Sequence, residues 1–159
     1  MALPLGFTAR RELLDLWLDA QVDEREMLAA LRRSHPPGLQ IIAMRQIAPE
    51  EPALQTQVRS ASYVAAVPEV PDLQSRISAL LAAEHACRER RGKGYDLRPL
   101  IEELAIRHDH AGTGALSMRL SAREGAMGRP DEVLRELGVD PAEAHIERLE
   151  IDLAMGNDW

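Results

Sequence analysis

Leu116, Met118, Leu120 and Ala122 alternate with Ser117, Arg119, Ser121 and Arg123. A period of two marks a strand with one face on a core and the other in water. Such strands belong to antiparallel sheets. Arg59 to Ala66 reads as a second strand, built of small residues around Tyr63 and Val64. Pro71 can open a helix at its first position, with Leu73, Ile77, Leu80 and Leu81 on one side. Two extended segments, about 85 to 91 and 95 to 104, bracket a tight turn at Gly92-Lys93-Gly94. Residues 105 to 114 are a polar loop, and Pro130 to Leu137 is a short helix closed by Gly138. His145 to Leu153 is a final strand, with Leu149, Ile151 and Leu153 on one face, shared by His145 and Glu147. This order predicts an α+β fold over 59–153: a ferredoxin-like antiparallel sheet with helices on one face. Residues 154–159, including Trp159, form a tail.

Residues 1–47 predict an incomplete unit of the same kind. Leu14, Leu16 and Leu18 alternate with Asp15, Trp17 and Asp19 in a strand over 11–19, where Trp17 serves packing. A helix follows from about 24 to 33, with Asp23 as N-cap and Glu26 three residues on. His35-Pro36-Pro37-Gly38 stops it, and Leu39 to Gln46 is another strand. Residues 48–58, with two prolines and two consecutive glutamates, form a linker.

Aromatics make up only 3% of the chain, so its core rests on aliphatic residues. Cys87 is the single cysteine, which excludes an internal disulfide and a self-contained iron–sulfur cluster. A reducing cytoplasm suits it. No apolar run reaches membrane-spanning length, so no membrane is expected as a partner. The net charge of -7 disfavours general nucleic-acid binding, and DNA is not expected.

Against that acidity, residues 88–98 carry five cations and two anions. Arg88, Arg90, Arg91, Lys93 and Arg98 can grip phosphates, and Tyr95 can stack on a base. Arg88 and Arg90, two apart on a strand, project together. The competing account is a solvated network in which Glu89 and Asp96 pair with these arginines. Asp96 and Arg98 share a strand face as a structural pair. Gly128-Arg129-Pro130-Asp131-Glu132 opens a helix whose first turn is complemented by Asp131 and Glu132; Arg129 is free to join the basic surface.

No residue is assigned to catalysis. His108-Asp109-His110 falls short of the three or four ligands a zinc site needs and reads as loop, so no metal is assigned. Cys87 reads as a small buried or half-buried residue. There is no Cys-x-x-x-Cys-x-x-Cys motif, no phosphate-binding loop and no nucleophile elbow, and no cofactor is implied.

Three stretches carry a resemblance. They are Ala2-Leu3-Pro4-Leu5-Gly6 leading into Glu12-Leu13-Leu14-Asp15; Arg90-Arg91-Gly92-Lys93 with Asp96-Leu97-Arg98-Pro99-Leu100-Ile101; and Gly128-Arg129-Pro130-Asp131-Glu132-Val133-Leu134 with Leu137-Gly138. Together they resemble the radical-SAM-linked bacterial domain family of unknown function. Its members are fused to, or encoded beside, a radical-SAM protein of the cobalamin-binding type. The resemblance implies a non-catalytic accessory domain with that protein as partner. Fold-level analogy with ferredoxin-like pairs in RNA-modifying enzymes adds the expectation that RNA or another anion is presented through the basic hairpin. The alternative is a scaffold for the partner that binds no nucleic acid. Family members carry a further segment, with a basic helix, ahead of the Ala-Leu-Pro-Leu-Gly motif, so the chain is expected to lack its N-terminal part.

Overall fold

The computed structural model describes residues 3–90, 92–108 and 114–154, the side chain of His108 excepted. The strands are β1 (Thr8–Ala9), β2 (Val58–Ala66), β3 (Cys87–Arg90), β4 (Lys93–Asp96), β5 (Ile101–His108), β6 (Gly114–Arg123), β7 (Ala126–Met127) and β8 (His145–Leu153). The helices are α1 (Glu24–Ser34), α2 (Leu54–Gln57), α3 (Leu73–Ala82) and α4 (Pro130–Glu136). The main sheet runs β1-β8-β2-β6-β5, with β7 folded back on β6. The β1–β8 pairing is parallel and the others are antiparallel, so this α+β fold has a mixed sheet. No helix among the described residues is long and apolar enough to cross a membrane.

Alternation places the core. Ala61, Tyr63 and Ala65 of β2 lie opposite Leu120, Met118 and Leu116 of β6. All six are buried, together with Ile77 and Leu80 of α3 and Val133 and Leu134 of α4. On the other face Arg119 reaches Ser60 at 3.3 Å, Glu102 at 3.2 Å and Asp152 at 3.4 Å.

The final strand does not keep one phase. Its register with β2 shifts between Ser62 and Tyr63, so Arg148 faces Tyr63 while Ile151 faces Ala61. The extra residue switches which side chains point inward. Ile151 is buried as expected, but Ile146 and Arg148 are buried with it in place of Leu149 and Leu153.

The N-terminal expectation is corrected more broadly. Residues 11–18 and 39–48 form no regular element and pair with no strand among the described residues. Hydrophobic alternation does not make a strand without a neighbour for its backbone groups. Leu14 and Trp17 are each 80% exposed, so Trp17 packs against little. The helix expected between them is present as α1, and Asp23 caps it by accepting from the Arg25 and Glu26 amides at 2.9 and 3.0 Å. None of its residues is buried. The segment expected as linker ends in α2, directly before β2. Arg32 of α1 donates to the carbonyls of Ile41 and Ile42, folding the following segment back along the helix.

Three other boundaries move. Asp72 at φ 60, rather than Pro71, precedes α3. The strand expected over 95–104 breaks at Leu97, which is fully buried, and Arg98–Leu100 form a 3-10 turn before β5. The expected polar loop starts later, because β5 continues to His108. Gly138 does close α4, at φ +75, where an added Cβ would clash with Arg76 Nη1. Only glycine takes that conformation without strain and leaves room for Arg76, which donates to the Leu137 carbonyl at 2.9 Å.

Candidate functional site: a charge-matched hairpin

Strands β3 and β4 form a two-stranded hairpin apart from the main sheet, with Arg88 opposite Tyr95 and Arg90 opposite Lys93. The turn therefore lies between Arg90 and Lys93, one step earlier than expected, with Gly92 at φ +75. Arg88 and Arg90 project to one side, as their spacing requires. That side meets α4. Arg90 grips Glu132 with two hydrogen bonds, Nε to Oε1 and Nη2 to Oε2, each 3.0 Å. Arg88 pairs with Glu136.

The match is metrical. Two residues along a strand advance about 6.7 Å, and four along a helix advance about 6 Å. Arginines two apart on β3 thus meet glutamates four apart on α4. Tyr95 completes the contact: its hydroxyl donates to Glu132, and the Arg90 guanidinium lies 5.3 Å from its ring centroid. Burial first, then the hydrogen bond to Glu132 and that carboxylate's charge, push the Tyr95 hydroxyl up to about 12.

The remaining cations differ in what holds them. Arg98 gives Nε and Nη2 to the Leu81 carbonyl at 3.1 and 2.9 Å, and Nη1 to the Ile101 carbonyl at 3.2 Å. It ties off the C-terminal end of α3, where cations are favoured. Arg129 donates to both oxygens of Asp131 at 2.9 and 3.2 Å, and Arg135 reaches the same carboxylate at 2.9 Å. Lys93 is exposed at the tip. Arg91 lies outside the described residues, as do Asp109, His110 and Trp159.

Asp96 does not pair with the Arg98 guanidinium. The chain leaves the strand at Leu97, so the two side chains do not share a strand face. Asp96 instead accepts from the Ala86 and Arg98 amides at 2.8 and 3.0 Å and contacts His85 Nδ1 at 2.7 Å. The Ala86 amide first, then His85, hold its carboxyl below the usual carboxylate range. Glu89 and Asp96, the expected partners of the arginines, are replaced by Glu132 and Glu136. Sequence reasoning missed Glu136 and His85. The acidic pair four apart on α4 was the available signal, but nothing in the sequence says that α4 lies beneath the hairpin. Cys87, expected to be at least half-buried, is exposed.

Fold and site together define a small α+β domain whose basic hairpin is bound to its own acidic helix. Residues 1–130 match the family described as "Uncharacterized protein conserved in bacteria", DUF2344, and the chain belongs to that family. No curated protein and no solved structure is significantly similar to it.

Proposed function

We propose that the chain is a non-catalytic, cytoplasmic accessory domain that docks on a radical-SAM protein of the cobalamin-binding type through its N-terminal segment. One observation carries the docking surface. Leu14, Leu16, Trp17, Leu18, Val22, Leu39 and Ile42 are exposed on the irregular chain flanking α1. Exposed apolar residues in such number mark an interaction surface. The identity of the partner rests on the resemblance in the Ala-Leu-Pro-Leu-Gly, Arg-Arg-Gly-Lys and Gly-Arg-Pro-Asp-Glu stretches. The strand order β8-β2-β6-β5, with every neighbour antiparallel and α3 and α4 sharing one core, supports a ferredoxin-like unit.

RNA presentation by the hairpin is the weaker reading. A phosphate would have to displace Glu132 from Arg90 and Glu136 from Arg88. The test is co-purification of the chain with the radical-SAM protein encoded beside it. The parent chain should retain it, and Leu16→Asp with Trp17→Asp should lose it while the fold persists by circular dichroism. Equal capture by parent and variant, or by neither, overturns the reading.

A further inference from the structure

Strand β5 is the last strand of the main sheet: it pairs with β6 on one side, and no described residue pairs with its other side. A free edge presents unpaired backbone donors and acceptors to any chain that can add to it. Natural edges resist pairing with charged side chains, prolines, bulges or short length. This edge is eight residues long and contains no proline; its one register shift lies at its start, between Ile101 and Glu103, and beyond it Glu103 and Arg107 are of opposite charge.

Its side chains sort by face. Leu104 is buried and Ile106 half-buried on the core side, whereas Glu103, Ala105 and Arg107 are exposed on the other. We propose that β5 is a self-association edge, adding antiparallel to β5 of a second copy of this chain about a two-fold axis through Ala105. A two-fold axis makes each contact occur twice, residue i on j and j on i. In that register Glu103 lies opposite Arg107 of the second copy, and Leu104 opposite its Ile106. Two unlike-charge pairs then flank the axis on the solvent face and two aliphatic pairs on the core face. Cross-strand pairs of both kinds stabilise antiparallel ladders.

Neighbouring registers lose this. An axis through Leu104 sets Glu103 against Ala105, one through Glu103 sets Glu103 against itself, and one through Ile106 sets Arg107 against Ala105. The charges on β5 therefore select one register. The two sheets become one continuous sheet, joined at the edge opposite β1.

Sedimentation equilibrium of the full chain tests it. The parent protein should show a concentration-dependent doubling of mass. Glu103→Arg places two arginines opposite each other and should return the monomer. Glu103→Arg with Arg107→Glu restores unlike pairs and should restore the dimer. Both positions are exposed, but Glu103 also lies opposite Arg119 of β6, so circular dichroism of each variant accompanies the mass measurement and must match the parent. A parent that stays monomeric at high concentration overturns the proposal, as does a dimer indifferent to the single reversal or a double variant that stays monomeric.

Discussion

Arg148, sealed from solvent on the core face of β8, is held by Glu12, from the segment just after β1: its Nε donates to one carboxylate oxygen at 2.6 Å and its Nη2 to the other. The pair spans 136 positions of sequence. Tyr63 of β2 lies opposite Arg148 across the sheet. The contact fastens the N-terminal segment to the domain, alongside the two-residue β1–β8 pairing and the Arg10 contact to Glu147 at 3.1 Å.

The two halves of this pair should respond unequally to mutation. Glu12→Ala leaves a buried guanidinium without its counter-charge, and Nη1 has no partner even in the parent. A loss of about 3 kcal/mol is expected. Arg148→Met fills a similar volume with apolar atoms and leaves a carboxylate whose side chain is 36% exposed and can rehydrate. Its cost should stay below about 1.5 kcal/mol. Urea unfolding midpoints decide between them, and equal losses would show that the buried charge is not what Glu12 serves.

Alkaline stability should depend on Tyr95. Its folded value of about 12 lies above the roughly 10 of an unfolded tyrosine. A group whose folded value is raised stabilises the fold fully below its unfolded value. That stability is lost as pH rises through the folded value. The loss attributable to Tyr95 therefore falls between about pH 10 and 12. Burial raises Tyr63 in the same sense. Ultraviolet titration of the folded protein should show little phenolate at about pH 10, and Tyr95→Phe should flatten the alkaline fall in stability.

Releasing the hairpin arginines should create an affinity that the parent lacks. With Glu132→Gln and Glu136→Gln, Arg88 and Arg90 lose their counter-charges. Binding to single-stranded RNA at low salt should strengthen, and the slope of log affinity against log salt should steepen by about 1.4 for two added phosphate contacts. A parent that binds as tightly, with the same slope, would show that the α4 carboxylates do not hold these arginines back.

What was legible in the sequence was local. Asp23 at the start of α1 and Gly138 at the end of α4 act through hydrogen bonds and dihedrals within a few residues, and both stand where their chemistry predicted. The alternation in β6 was reliable because a partner strand lies on each side of it, β2 and β5. The same alternation at Leu14, Leu16 and Leu18 misled, since among the described residues no strand pairs with their backbone.

The hairpin arginines make the division plain. Sequence by itself determined that Arg88 and Arg90 project together, that a short helix with acids in its first turn opens at Pro130, and that strands and helices follow in an α+β order. Only the tertiary structure decided that Glu132 and Glu136 lie under those arginines, that Glu12 crosses the chain to Arg148, and that β5 ends the sheet. Charge composition is additive along a chain, whereas the field at any one group depends on neighbours within a few ångströms, and those are chosen by packing.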